Sequence, residues 1–82
     1  MEENQPRTRL TRAELLEKAN TLPLRPGVYV MRDVMGKVIY VGKSRKLKNR
    51  VSQYFYAFKA HTPKVRAMVE KIADFDIMLV ST

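Results

Sequence analysis

Three tyrosines are the residues of this sequence whose type and spacing first suggest chemistry. Tyr29 and Tyr40 stand eleven positions apart in the segment GVYVMRDVMGKVIYVGKSRKLKNR, which covers residues 27–50, and Tyr54 follows shortly after it. A phenol can act as a general base where neighbouring cations lower its pKa. The alternative is that each tyrosine is a core aromatic with a polar tip, and the spacing alone leaves both roles open.

A dense run of cations follows the second tyrosine. The stretch from position 43 to position 50 has no acidic residue and contains Lys43, Arg45, Lys46, Lys48 and Arg50. Because a predicted strand end and a predicted helix N-terminus meet here, backbone amides and cations could converge on a phosphate group. A solvated helix face is the alternative, but the absence of compensating acids favours contact with phosphate groups.

The charge of the whole chain indicates a polyanionic partner. Sixteen Lys and Arg against eight Asp and Glu give the 82 residues a net charge of +8. Nucleic acid is the commonest polyanion in the cytoplasm, so it is the predicted partner. A basic domain without any partner is the alternative, because net charge describes association rather than fold.

The residue types also exclude several classes of protein. The chain has no cysteine, which excludes disulfides and thiolate metal sites, and its single histidine, His61, cannot form a zinc site by itself. We expect His61 on a surface loop. No apolar run approaches the roughly 20 residues of a membrane helix, and no signal peptide is visible. A cytoplasmic protein that does not bind membranes is therefore expected.

A β-hairpin is predicted to position the two motif tyrosines. Residues 28–32 and 37–41 are rich in β-branched and aromatic residues, and residues 33–36 between them have turn chemistry. With Arg32 opposite Lys37, Tyr29 falls opposite Tyr40. Slipping the register by two residues still leaves both phenols on one face, since side chains alternate with a period of two. The predicted second strand ends at Gly42.

Three helices and a third strand complete the predicted elements. Thr11 and Glu14 form a capping box that starts a helix ending at Asn20, and Thr62 with Pro63 starts another helix. Between these, Ser44 is predicted to cap a helix running to position 58. The buried stripe of that helix consists of Leu47, Val51, Phe55 and Phe58. Alternating apolar residues at 75–80 predict the third strand, after which the chain stops with one sheet face uncovered, so we expect a longer parent protein.

Two short motifs resemble those of a known superfamily. Gly27-Val28-Tyr29 and Ile39-Tyr40-Val41-Gly42, followed by a helix that carries an arginine, resemble the GIY-YIG nucleases. The wider string LPLRPGVYVM…GKVIYVGKSRKLKNRVSQYF resembles the UvrC family within it, over residues 13–82. The resemblance implies an α/β (α+β) fold in which helices flank a central three-stranded antiparallel sheet. It also implies a nuclease domain at residues 11–82, and residues 1–10 before it are expected to form a flexible tail.

The resemblance implies a function and assigns roles to residues. The implied reaction is hydrolysis of a DNA phosphodiester 3′ to a lesion, with one divalent metal (Mg²⁺ or Mn²⁺), on damaged double-stranded DNA bound to UvrB. Tyr29 and Tyr40 match the paired motif tyrosines, and Tyr40 is the expected general base toward the attacking water. Lys43 and Arg50 match the residues that orient the phosphate and stabilise its developing charge. Tyr54 matches a phenol one turn after the arginine.

The metal site is where the sequence departs from the family. The metal-ligating glutamate of the family lies after the third strand, beyond Thr82, and Glu70 comes too early to replace it. We therefore expect no metal ligand in this chain, a C-terminally incomplete domain, and no nuclease activity from the 82 residues alone. The alternatives are another GIY-YIG branch, such as a stand-alone UvrC-like nuclease, or a non-catalytic basic module that binds nucleic acid.

Overall fold

The computed structural model describes residues 9–81, which form three α-helices and one three-stranded sheet. The elements are α1 (Arg12–Asn20), β1 (Gly27–Arg32), β2 (Val38–Ser44), α2 (Leu47–Tyr56), a short 3₁₀ turn (Phe58–Ala60), α3 (Pro63–Lys71) and β3 (Asp74–Leu79). The strand order is β2-β1-β3, and both pairs of strands are antiparallel. The predicted three-stranded antiparallel sheet flanked by helices is confirmed.

The predicted N-terminal tail lies mostly outside the described residues, which leave out 1–8. Leu10 is described, and its backbone N–H donates to the carbonyl of Ala73 at 3.1 Å. Its side chain also packs against the core. Leu10, which the sequence assigned to the tail, therefore packs with the rest of the domain.

The predicted caps of the first and third helices form as expected. The Thr11 hydroxyl accepts from the Glu14 backbone N–H, and the Glu14 carboxylate accepts from the Thr11 N–H, which completes the capping box. The Thr62 hydroxyl accepts from the Val65 N–H, with Pro63 as the first residue of α3. The longest of the described helices has ten residues, and none has the length and apolar character that crossing a bilayer requires.

One face of the sheet and the three helices share the hydrophobic core. Tyr29 and Met31 of β1 point into the core, and so does Phe75 of β3. The helices contribute Leu15, Ala19, Leu47, Val51, Phe55 and Val69. On the other face, Val41 and Met78 are exposed. The core therefore holds α2 against the strands that carry the motif tyrosines.

The register of the hairpin differs from the predicted one. Tyr29 pairs with Gly42 and Met31 pairs with Tyr40, so Tyr29 does not lie opposite Tyr40. The hairpin closes where the Asp33 N–H donates to the Lys37 carbonyl and the Asp33 carboxylate accepts from the Lys37 N–H. That closure leaves three residues in the loop, the last of which is Gly36 with a φ of 84°.

A β-bulge restores the predicted face. The three-residue loop alone would place Tyr40 on the side of the sheet away from Tyr29, because side chains alternate. However, Arg32 pairs with Val38 while Met31 pairs with Tyr40, so Ile39 is an extra residue in β2. The extra residue returns Tyr40 to the face of Tyr29. The prediction of a shared face holds, but for a different reason.

The boundaries of β2 and α2 also differ from the prediction. β2 continues through Gly42 to Ser44, whereas it was predicted to end at the glycine. Ser44 does not cap α2, because its hydroxyl accepts from the Lys46 N–H and the helix begins only at Leu47. Helix α2 ends at Tyr56 rather than near position 58. Lys43 therefore lies on a strand, and Arg45 lies in the connection to the helix.

Candidate active site and nucleic-acid interface

Gly42 allows β2 to pass directly beneath the ring of Tyr29. A Cβ atom at position 42 would lie 2.4 Å from the Tyr29 hydroxyl oxygen and 2.4 Å from its Cζ. Gly27 has a similar role at the start of β1, where a Cβ would lie 2.5 Å from the Met78 carbonyl oxygen and 2.6 Å from Cδ1 of Leu47. Both motif glycines are thus explained by close packing rather than by turn formation.

Tyr29, Tyr40 and Tyr54 form one group, which we call the tyrosine cluster. Tyr29 is only 2% exposed, and its hydroxyl lies 2.9 Å from the Tyr54 hydroxyl. The Tyr29 ring centroid is 6.1 Å from that of Tyr40 and 5.8 Å from that of Tyr54. Tyr40 is 43% exposed and can therefore meet water. The structure brings together all three tyrosines that the sequence selected.

The Tyr29 phenol remains protonated at neutral pH. Burial raises its pKa above the usual value of 10.0, and the hydrogen bond with Tyr54 raises it further. The positive charge of Arg50 acts in the opposite direction but does not outweigh burial. The predicted lowering of a phenol pKa by cations is therefore wrong for Tyr29. This phenol can donate a hydrogen bond, but it cannot act as a general base near pH 7.

A cavity of about 780 Å³ opens beside the β2-to-α2 connection, and we call it the basic groove. Four of the five predicted DNA-binding cations line it, namely Lys43, Arg45, Lys46 and Arg50. Lys48 does not line it. In the described part of the chain, the two ion pairs are Lys18–Asp74 and Arg32–Asp76, and neither involves a cation of the groove.

The remaining walls of the basic groove were not identified from the sequence. Its apolar part consists of Pro26, Gly27, Val28 and Val80. Asn49 and Gln53 also line it, next to Arg50. A signal for these two residues existed, because positions 46, 49, 50 and 53 follow helical spacing and are all polar. The sequence analysis considered only the charged members of that stripe.

Three backbone amides at the start of α2 are already engaged within the protein. The Leu47 N–H donates to the Arg25 carbonyl at 3.0 Å, and the Lys48 N–H donates to the Pro23 carbonyl at 3.2 Å. The Lys46 N–H donates to the Ser44 hydroxyl at 3.0 Å. The amides of residues 46–48 are therefore not available to the predicted phosphate contact, which stays a prediction for the rest of the first turn.

The described residues do not fit the divalent metal that the sequence resemblance implies. Within residues 9–81, no three His, Cys, Asp or Glu side chains lie close enough together to hold a metal ion. Asp74 and Asp76 are engaged with Lys18 and Arg32 respectively. His61 Nε2 lies 3.2 Å from the Tyr54 carbonyl oxygen, so the histidine supports the backbone of α2. The tyrosine cluster supplies phenols but no carboxylate, and Mg²⁺ and Mn²⁺ favour carboxylate oxygens.

The sequence is similar to those of known proteins. A family model described as the UvrC-like GIY-YIG domain matches residues 25–82. UvrABC system protein C of Alkaliphilus oremlandii is 52% identical over 69 residues, which are 84% of this chain and 11% of that protein. The protein of the same name from Clostridium perfringens is 54% identical over 61 residues, which are 74% of this chain and 10% of that protein.

Solved structures are similar to this fold as well. The GIY-YIG N-terminal endonuclease domain of UvrC from Thermotoga maritima, bound to magnesium as its catalytic divalent cation, matches with a TM-score of 0.70 and 30% identity. That match covers 82% of this chain and 71% of the solved chain. A point mutant of the same domain, bound to the catalytic divalent cation, matches with a TM-score of 0.70 and 28% identity, covering 82% of this chain and 70% of that one. The chain thus spans about a tenth of the length of the curated relatives.

Proposed function

This chain belongs to the family of UvrC-like GIY-YIG domains, and on that premise we propose that it is the nuclease domain of a DNA-repair endonuclease. The proposed reaction is metal-dependent hydrolysis of a phosphodiester 3′ to a lesion, in nucleotide excision repair. Its proposed substrate is damaged double-stranded DNA in complex with UvrB. The proposal concerns the domain within such a protein, because the matched segment is only 10–11% of the length of these relatives.

The position of Arg50 is the observation that carries this proposal. Arg50 lines the basic groove, and its positive charge also acts on the Tyr29 phenol. The Arg50 guanidinium therefore acts on both sites. It lines the basic groove, which suits a phosphate backbone, and its charge reaches the tyrosine cluster, whose phenols could transfer protons. A module that only bound nucleic acid would need the cations, but it would not need three phenols in contact beside them.

We assign each side chain a role in the proposed reaction from its exposure and its contacts. Tyr40 is the proposed general base, because its exposed phenol can reach the attacking water. Tyr29 keeps its proton and orients Tyr54 through the contact between their hydroxyls. Lys43 and Arg50 are proposed to offset the negative charge that grows on the phosphoryl oxygens as the water attacks.

The divalent cation is the component that the described residues cannot hold. The Thermotoga maritima domain binds magnesium, whereas residues 9–81 of this chain offer no matching set of carboxylates. We therefore propose that a carboxylate outside the 82 residues anchors Mg²⁺ or Mn²⁺. The 82-residue chain should not nick DNA with either metal, because the largest source of charge stabilisation would have no fixed position.

A chimera tests the proposed function. This chain would replace its counterpart in the Alkaliphilus oremlandii protein, and nicking would be measured on damaged duplex DNA carrying UvrB. The chimera should nick the DNA. Arg50→Ala should lower turnover by about 100-fold or more, while DNA affinity falls far less, because the contact of the guanidinium strengthens as charge develops. Tyr40→Phe should abolish most nicking and leave binding nearly intact.

The matched control for Arg50→Ala is Lys37→Ala, which removes an exposed cation next to the hairpin loop and outside the groove. It should leave turnover unchanged. A chimera that binds the DNA but nicks equally well with Tyr40→Phe would overturn the assignment of the base. A chimera that folds and binds but never nicks would instead support the second candidate, a non-catalytic DNA-binding module, which the missing carboxylate cluster favours.

A further inference from the structure

Two neutral amides stand among the cations of the basic groove. Asn49 and Gln53 are one helical turn apart on α2, they are exposed, and they line the groove next to Arg50. A side-chain amide carries no charge, so it adds little to the attraction of phosphates. It does offer a donor and an acceptor together, and that combination matches the edge of a nucleobase.

The apolar part of the groove has a surface that phosphates do not need. Pro26 and Val28 line it, and Val80 lies beside them with 39% of its surface exposed. A duplex presents its sugars and phosphates outward and keeps the flat faces of its bases stacked inside. An unpaired base, in contrast, exposes an apolar face that gains from contact with such residues.

The size of the groove limits what can enter it. Its volume of about 780 Å³ lies within the range of about 300–1,000 Å³ that is typical of pockets for small ligands. A single nucleotide fits that volume. The four cations, on β2, on α2 and in the connection between them, can then contact the phosphates on either side of the bound nucleotide.

From these three observations we infer that the basic groove binds an unpaired nucleotide of a DNA strand. Its base lies against Pro26, Val28 and Val80, and Asn49 and Gln53 contact the edge of the base. The inference rests on the proposed function and makes it more specific, because a distorted site in DNA exposes unpaired nucleotides that intact duplex lacks. Asn49 and Gln53 become the residues that distinguish unpaired from paired DNA.

Three fluorescent probes of about ten nucleotides each separate the contributions to binding by the 82-residue chain. The first is single-stranded oligothymidine, the second has the same phosphates but abasic sugars, and the third is a duplex. Asn49→Ala and Gln53→Ala should each weaken binding to oligothymidine by about three- to tenfold. They should leave binding to the abasic strand and the duplex unchanged. Lys46→Ala should weaken binding to all three probes alike.

Asn20→Ala is the matched control, because Asn20 is an exposed asparagine at the end of α1 that does not line the groove. It should change nothing. Circular dichroism of each variant would confirm that α2 remains folded. If Asn49→Ala and Gln53→Ala weaken the binding of all three probes equally, or of none, the groove contacts only the sugar–phosphate backbone of the DNA. The inference is then overturned, while the proposed function stands. If none of the probes binds even at low salt, the proposed function fails together with the inference.

Discussion

The contact between the Tyr29 ring and Gly42 determines how the tyrosine cluster is arranged. The ring occupies the volume that any larger residue at position 42 would need, because a Cβ there would lie 2.4 Å from the hydroxyl oxygen. With the ring in this place, its hydroxyl reaches Tyr54, and its face lies near Tyr40. One missing side chain on β2 thus brings three phenols from three elements together.

Substitution of Gly42 should disrupt the tyrosine cluster as well as lower the free energy of unfolding. Gly42→Ala would force the buried Tyr29 ring to move, at a cost of about 1–3 kcal/mol in the free energy of unfolding. The Tyr29–Tyr54 hydroxyl contact should break, which an NMR measurement of the two rings would show. Gly36→Ala is the control, since its positive φ costs about 1 kcal/mol without touching the tyrosines. Equal spectra for the two variants would contradict this explanation.

The raised pKa of Tyr29 predicts a loss of stability at high pH. The folded state holds the phenolic proton more tightly than the unfolded chain does, where the pKa is about 10. The stabilisation is therefore complete below about pH 10 and is lost as the pH rises toward the folded pKa. Urea unfolding between about pH 9 and pH 11 should show a steeper decline for the wild type than for Tyr29→Phe. Parallel declines would mean that Tyr29 does not contribute.

At the scale of elements, the bulge in β2 compensates for the odd length of the hairpin loop. The sequence predicted an even loop and a regular ladder, and neither is present, yet the two tyrosines still share a face. The Asp33 carboxylate accepts from the N–H groups of both Met35 and Lys37, which favours the three-residue loop. Turn composition alone could not reveal the closing pair or the bulge, because both depend on how the strands meet.

Deletion of Ile39 tests the role of the bulge. Without Ile39, Val38 and Tyr40 become neighbours and can keep their partners Arg32 and Met31 in a regular ladder. Tyr40 should therefore remain beside Tyr29, with contacts between their rings still visible by NMR. Stability should fall by about 1–3 kcal/mol, because Ile39 packs partly against the core. Deletion of Val41 is the control. It removes a residue from the regular part of the ladder, so the side chains on one side of the deletion change sheet face. Tyr40 should then be separated from Tyr29. If deletion of Ile39 separated Tyr40 from Tyr29 and deletion of Val41 did not, this account of the bulge would be contradicted.

The caps of α1 and α3 were predicted correctly because their signals are local, whereas the predicted Ser44 cap of α2 was wrong. Thr11 with Glu14, and Thr62 with Pro63, act within a few residues of themselves. The end of β2 was predicted wrongly, because glycine normally weakens a strand, and only the distant Tyr29 ring explains why Gly42 lies inside one. Asn49 and Gln53 were missed because their relevance depends on the apolar residues that the fold places opposite them.

At the scale of the whole molecule, the basic groove brings four of the sixteen cations together. The basic groove concentrates four cations, whereas Lys18 and Arg32 are paired with aspartates elsewhere. Long-range attraction would bring the DNA to the molecule, and the groove would determine how it is oriented.

The salt dependence of DNA binding measures how many of these cations take part. If about four of them contact phosphates, the plot of log affinity against log salt concentration should have a slope of about −3 to −4 on duplex DNA. Lys43→Ala should make that slope shallower by about one unit, while Lys37→Ala should leave it unchanged. Binding that is insensitive to salt, or absent at low ionic strength, would contradict the assignment of the groove as the DNA-binding surface.

The hydrogen bonds that hold the start of α2 to residues 23–25 imply that the groove is rigid before any ligand arrives. The N–H groups of Leu47 and Lys48 close onto the Arg25 and Pro23 carbonyls. These amides should therefore exchange slowly with deuterium in the free protein, and DNA should slow them little further. A groove with this architecture loses little conformational entropy on binding, so its affinity should reflect contacts rather than ordering. Rapid exchange that becomes slow only with DNA would instead indicate a wall that assembles around the strand.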